Sequence, residues 1–464
     1  MRLAPLLLPA LLVASGLAQA ETRIADTAVQ RAGQLREAAL ADTTGYRLIE
    51  SLTTEIGPRL PGSEADAKAV EWAKAKFHAL GYDKVWTQPV SFPLWVRRSE
   101  SVRVLGHSAQ PLSATALGGS PGGTVEGEVV RFADLAALEA VAPGALAGKI
   151  AYVDFPMQRA RDGSGYGPAG RVRSRGPSAA IRAGASGYLM RSASTGSHRH
   201  PHTGITRFDE GLTPIPAAAL SNADADQLTR LLARGPQRLR VALDCGWEGE
   251  YTSHNVIGEI TGRSQPDEIV AIGAHLDSWD LGTGAVDDAA GIGITMAAGH
   301  LIAQLPRAQR PARTVRVIAF ANEEQGLIGG RVYAQSQQAN VGKHQIVAES
   351  DFGAGRIYGF STMPHPGSQT AAAQIAAALA PLGIQHKPGK GGPGPDFVPF
   401  APYGVAWATL HQDGSDYFDY HHTPDDTFDK IDPQAIAQNV AAYVVFAWLA
   451  AEAEGGFGSE GKTP

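Results

Sequence analysis

Histidine, aspartate and glutamate recur in this chain at the points where apolar runs end. His275-Leu276-Asp277-Ser278 follows directly on the run Glu268 to Ala274, and Asp287-Asp288 comes twelve residues after the histidine in a Gly/Ala-rich stretch. Glu323-Glu324 closes the run Val315 to Ala321, Asp351 lies beyond the run Ile346 to Ser350, and His421-His422 stands in an acidic, aromatic loop from Asp416 to Thr427. Carboxylate oxygens mixed with imidazole nitrogens suit zinc. The set holds ligands for two ions and leaves one carboxylate over as a base, which is the equipment of a two-metal hydrolytic site.

Each motif has its own physical logic. In an extended strand, residues two apart point to the same side. Asp277 is therefore expected to accept the second ring proton of His275 while the other nitrogen ligates a metal. Adjacent carboxylates such as Glu323 and Glu324 repel one another, and burying them calls for a cation. Asp287-Asp288 sits in a small-residue turn that opens a helix, where an N-cap pair is the simpler use.

The elements that must carry these groups read as an α/β alternation from Asn255 onward. Strands are expected at Asn255 to Ile260, Glu268 to Ala274, Thr314 to Ala321, Ile346 to Ser350 and Val405 to Leu410. Helices are expected at Ala289 to Leu305, Leu327 to Gln337, Ser368 to Leu382 and Gln434 to Glu454. Strands apolar throughout, alternating with helices, predict a mostly parallel sheet covered on both faces. Functional groups then collect at the carboxyl ends of the strands, where His275, Glu323, Glu324 and Asp351 all fall. Upstream, Ala65 to Leu80 reads as a helix and Trp86 to Phe92 as a strand. From about residue 100 to 245 the texture turns rich in Gly, Ala, Pro and Arg, with short strands and helical pieces and none of the main metal-type motifs, which predicts an insert with its own small core.

At 464 residues the chain is too long for one ordinary core. A hydrophobic content of 44% with 19% charged residues is globular. The net charge of -6 and the lack of a Lys/Arg run argue against a nucleic-acid partner. Residues 1–20 carry one positive charge, a short apolar stretch and an Ala18-Gln19-Ala20 end, the pattern of a secretory signal peptide cleaved after Ala20. The expected mature protein is exported, periplasmic or secreted, without a membrane anchor; the apolar stretch Val440 to Ala451 is too short to span a bilayer. Cys245 is the single cysteine, so no internal disulfide forms, and it reads as a small buried apolar residue.

In this order, H-L-D-S, D-D, N-E-E, E-S-D and H-H-T-P-D-D-T resemble the co-catalytic dizinc exopeptidases, a group that includes bacterial zinc aminopeptidases, carboxypeptidase Q and the glutamate carboxypeptidases. The block His275 to Asp280 and the doubled His421-His422 most resemble the carboxypeptidase Q branch. The resemblance implies a three-layer α/β catalytic domain, split as 21–99 and 246–464, with a β-rich protease-associated domain inserted at 100–245. It implies two Zn2+ ions: Asp287 bridging both, His275 and Asp351 completing one, Glu324 and His422 the other. Glu323 would be the general base and Asp277 would orient His275. His422 rather than His421 takes the ligand role because its spacing to Asp426 matches the family pattern. Many relatives carry Tyr where His421 stands, which gives His421 the expected role of hydrogen-bond donor to the developing oxyanion. The peptide bond between Asp287 and Asp288 is expected to be cis. The implied substrate is a short peptide or dipeptide; an amidase or glutaminyl cyclase-like activity and a non-catalytic binding module are the alternatives, and a homodimer is left open. Pro395 to Phe400 resembles the pocket-forming loop of the group. The run Ser197 to Thr203, with His198, His200 and His202, reads as a loop at the surface or pocket rim.

Overall fold

The computed structural model describes residues 21–363 and 365–458. The expected signal peptide lies outside them. Among the described residues, eleven strands form one sheet and three form another.

The part that carries the acidic and histidine motifs is built on three parallel strands: Gln265–His275 in the middle, Arg313–Phe320 on one side and His344–Glu349 on the other. Their side chains alternate between two cores, as extended backbone requires. Val270, Ile272, Val315, Val317 and Ala319 face the helices Asp26–Ala41, Glu64–Ala79, Ala290–Ala303 and Pro433–Glu452. Ile269, Ala271, Ile318 and Phe320 face the helix Ile328–Ser336 and the segment holding Phe397 and Phe400. This is the three-layer arrangement. The helix Ala290–Ala303 is apolar all round because it is buried all round. Pro433–Glu452 is apolar and long, and the 89% burial of its apolar window accounts for that composition within the core. It begins with Pro433 at its first position and Asp432 accepting from the Gln434 N–H, two start signals acting together.

The sheet continues into the segment 100–245 through two long antiparallel strands, Lys84–Val104 and Arg238–Ile260. The second of these pairs with Arg313–Phe320 near its carboxyl end and with Gly123–Phe132 near its amino end. The expected boundaries at 99/100 and 245/246 therefore fall inside continuous strands. A change in composition marked them, and the backbone crosses them without a break. Within the segment, Gly123–Phe132, Ile150–Val153, Gly187–Arg191 and Ala217–Leu220 are parallel, and the helices Tyr166–Arg182 and Asn222–Leu232 accompany them. The segment is thus α/β in texture, where a β-rich insert was expected. Parallel strands need crossovers: the short helix Leu135–Glu139 lies in the first, Tyr166–Arg182 in the second, and the stretch 192–216 makes the third without a helix. The smaller sheet, Gln385–His386, Ile357–Thr362 and Ala408–Gln412, includes a strand at 357–362 that the sequence did not announce.

Candidate metal centre

The three parallel strands deliver their acidic ends to one place. His275 is the last residue of its strand, Glu323 follows Phe320 by three residues, and Asp351 follows Glu349 by two. Between them, the loop 276–284 leads into Asp287 and Asp288, joined by a cis peptide bond as expected. Gly291 lets the following helix approach: a Cβ there would run into the Ser350 carbonyl and the Asp288 carboxylate.

Asp287 is the centre of the arrangement. Its Oδ1 lies 3.1 Å from His275 Nε2, which is also 3.6 Å from Asp351 Oδ1. Its Oδ2 lies 3.1 Å from His422 Nε2 and 3.2 Å from His421 Nε2. Glu324 Oε2 is 2.9 Å from His422 Nε2. Two donor sets result, His275–Asp287–Asp351 and Asp287–Glu324–His422, each with its ligand atoms within 4.8 Å of one another, and Asp287 belongs to both. The expected ligands are thus brought together. Of the paired histidines it is His422 that meets Glu324. The Asp426 carboxylate accepts the N–H groups of Ala285 and Val286, both at 2.7 Å.

The residues fit a metal cation. Asp287 Oδ2 and Glu324 Oε1 are buried without a hydrogen-bond partner, although two imidazoles crowd the first. That crowding without hydrogen-bond alignment is what ligands around an ion look like. Asp277, Asp287, Asp288, Glu324, Glu349 and Asp396 are all buried. Burial holds Asp288, Glu349 and Asp396 well above the usual carboxylate range, and the neighbouring carboxylates push them further the same way. So dense a set of acids is stable only with positive charge among them. Asp287 is the exception: burial works against it, yet the imidazoles of His421, His275 and His422 around it hold it well below the usual range.

Asp277 acts differently from the expectation. His275 Nδ1 donates to the Asp277 backbone carbonyl at 3.0 Å, and the Asp277 carboxylate lies 3.8 Å away. That carboxylate instead accepts the N–H groups of Glu323, at 3.0 Å, and Glu324, at 3.2 Å. It fixes the acidic pair, while its backbone orients the histidine. Arg59, which the sequence analysis did not single out, organises the same loop. Its fully buried guanidinium donates to the carbonyls of Leu276, Gly57, Thr283 and Gly284 at 2.6–3.0 Å. Burial brings it down to about 10, still charged at neutral pH. Arg59→Met leaves these buried carbonyls unpaired, so a stability loss of about 3 kcal/mol or more is expected in urea unfolding.

A cavity of about 390 Å³ opens over Asp287, Glu323, Glu324, Asp351, His421 and His422. Its other walls come from Leu327, Phe352 and Pro395 and, from the segment 100–245, Tyr166, Arg173, Ile205 and Arg207. Pro395 to Phe400 thus shares in the pocket as expected, through Pro395. The loop 197–203 divides: His198 and His200 stack on each other at 6.1 Å at the periphery, but His202 is fully buried against His421 and His422. Cys245 is buried and its thiol is pushed up to about 11, in keeping with an inert apolar role.

The model of peptidase family M28 matches residues 255–447. Carboxypeptidase Q of Bos taurus is 32% identical over 419 residues, 89% of this chain and 86% of that protein. The Mus musculus carboxypeptidase Q is 31% identical, over 88% and 85%. Among solved structures, a peptidase M28 precursor from Shewanella amazonensis superposes with a TM-score of 0.88 at 47% identity, over 92% of this chain and 97% of that one. An aminopeptidase from Aneurinibacillus sp. strain AM-1 shares the fold, with a TM-score of 0.62 at 24% identity, over 93% and 97%. With parallel strands ending in two donor sets around one aspartate, and relatives aligned along nearly the whole chain, the protein belongs to peptidase family M28 and is a metallo-exopeptidase.

Proposed function

We propose that the protein is an exported, two-zinc exopeptidase that hydrolyses the terminal peptide bond of short peptides or dipeptides. The observation that carries this reading is the Asp287 carboxylate, with one oxygen turned to His275 and Asp351 and the other to His422 and Glu324. His275, Asp287 and Asp351 would hold one ion and Asp287, Glu324 and His422 the second. Bound there, zinc supplies polarisation of the scissile carbonyl and acidification of water toward neutral pH. Glu323, beside this set and on the cavity wall, takes the proton from the attacking water and delivers it to the leaving amine. Its burial, with the charges of Asp351 and Glu324, holds it well above the usual range, the direction a proton shuttle needs. His421 donates a hydrogen bond to the oxygen that gains charge. The export signal at residues 1–20 supports a periplasmic or secreted location.

Arg207 and Arg331 line the same cavity, and among the described residues neither guanidinium has a hydrogen-bond or ion-pair partner. Every acid on the cavity wall belongs to the ligand set or is Glu323. The free charge at the site therefore favours a substrate carboxylate, hence removal of a carboxyl-terminal residue. Protein purified without chelator is expected to contain close to two zincs per chain by elemental analysis. It should lose activity to chelator and regain it with zinc. A peptide library read by mass spectrometry reports the end trimmed. Metal-free protein that still cleaves the library would sink this reading.

A further inference from the structure

His202, His421 and His422 bring their ring nitrogens within 4.8 Å of one another, a third group with the outward form of a metal site. The hydrogen bonds give it another role. Arg173 Nη1 lies 2.9 Å from His202 Nε2. A guanidinium only donates, so Nε2 has to accept, and the ring proton is forced onto Nδ1. That Nδ1 lies 3.0 Å from the His421 carbonyl oxygen, to which it donates. Both ring nitrogens of His202 are committed, and a guanidinium stands where a third ligand's metal would be.

The same stretch reaches His422 through its backbone. The Thr203 N–H donates to the His422 carbonyl at 3.0 Å, and His422 Nδ1 donates to the Thr203 carbonyl at 3.2 Å. The second bond fixes the His422 proton on Nδ1 and leaves Nε2 free toward Asp287 and Glu324. His422 also has φ 59°, the left-handed region that a residue with a Cβ occupies only when its surroundings insist. Three hydrogen bonds from residues 202 and 203 hold that conformation from outside. His202 itself is anchored on the far side by its N–H to Ser192 Oγ, at 2.9 Å.

We propose that His202 is a positioning residue of the metal centre, acting from the inserted segment. Its tautomer, set by Arg173, clamps the His421 carbonyl and so aims His422 at the ion it shares with Glu324 and Asp287. This rests on the two-zinc reading of the site. It predicts a selective effect, because His275 and Asp351 have no contact with His202 among these bonds. Loss of the clamp weakens one ion and spares the other.

The experiment is zinc titration of the full-length protein by chelator competition, with four variants beside the wild type. An asparagine amide places its donor where Nδ1 stands, and a glutamine amide places it where Nε2 stands. His202→Ala and His202→Gln are expected to raise the dissociation constant of one zinc by about 10–100-fold and leave the other as in the wild type. His202→Asn is expected to restore most of that affinity. Arg173→Met frees the ring to take the other tautomer and is expected to weaken the same ion. Asn and Gln variants that behave alike would overturn the proposal, as would equal weakening of both ions or no weakening at all. Should the Ala variant fail to fold, the Asn and Gln comparison decides. A wild-type protein that binds no zinc brings down the reading of the site itself, whereas two tight zincs in every variant bring down only the role of His202.

Discussion

Glu323→Gln is expected to retain both zincs and to lose about 10²–10⁴ in kcat, the usual contribution of a positioned general base. The amide has nearly the shape of the carboxylate, and the feature that fixes residue 323, its N–H on the Asp277 carboxylate, is a backbone bond that the substitution leaves in place. Metal content by elemental analysis and steady-state kinetics on one dipeptide are the two measurements needed. Glu324→Gln is the control. Glu324 Oε2 faces His422 at 2.9 Å, and its change should lower zinc content as well as rate. A Glu323 variant that loses metal while the Glu324 variant keeps both metal and activity would exchange the roles of the pair.

His421→Ala is expected to lower kcat by about 10²–10³-fold with zinc content unchanged, the effect of removing one donor to a developing oxyanion. The ring lies on the cavity wall, stacked on His422 with centroids 3.6 Å apart, and its Nδ1 is buried without a partner. Burial and the neighbouring His422 push it well below its ordinary range, so it stands neutral and donates a single hydrogen bond. His421→Tyr should recover part of the activity through the phenol hydroxyl. Zinc loss from His421→Ala and not from His422→Ala would make His421 the ligand.

What the sequence disclosed about this site follows from where each residue sits along the chain. His275, Glu323, Glu324 and Asp351 were legible because each ends or follows an apolar run, and apolar runs in an α/β chain become parallel strands whose carboxyl ends converge. Asp287 and His422 depended on a family resemblance, since a turn and a polar loop carry no periodicity that places them. Arg59 was missed for a related reason. It stands alone between Pro58 and Leu60, and only the folded loop 276–284 gives its guanidinium four carbonyls. The Asp277 carboxylate was assigned to its neighbour in sequence, and it spends itself on N–H groups 46 and 47 residues away. His202 lies 219 residues from the His421 carbonyl it holds, and no local pattern encodes such a pairing. The strand Ile357–Thr362 was hidden by Gly359 at its centre, which reads as turn material.

The two strands that run through both halves, Lys84–Val104 and Arg238–Ile260, also determine how the molecule can yield. Closure around a substrate is ordinarily a matter of a few loop residues absorbing a change in φ and ψ. Here the paths into and out of the segment 100–245 are paired with each other over nearly their whole length. Any tilt of that segment over the cavity has to be borne as torsion of a two-stranded ribbon. Its ladder is interrupted at two places, Pro93/Trp95 and Arg97/Ser99. There the ladder gives the least resistance to bending, and Trp95 and Arg97 tie the spot down, the indole donating to the Ser120 carbonyl and the guanidinium pairing with Asp280 in the loop 276–284. The compliance of the ribbon is thus concentrated some 180 residues before His275, and it is braced against the loop that follows His275.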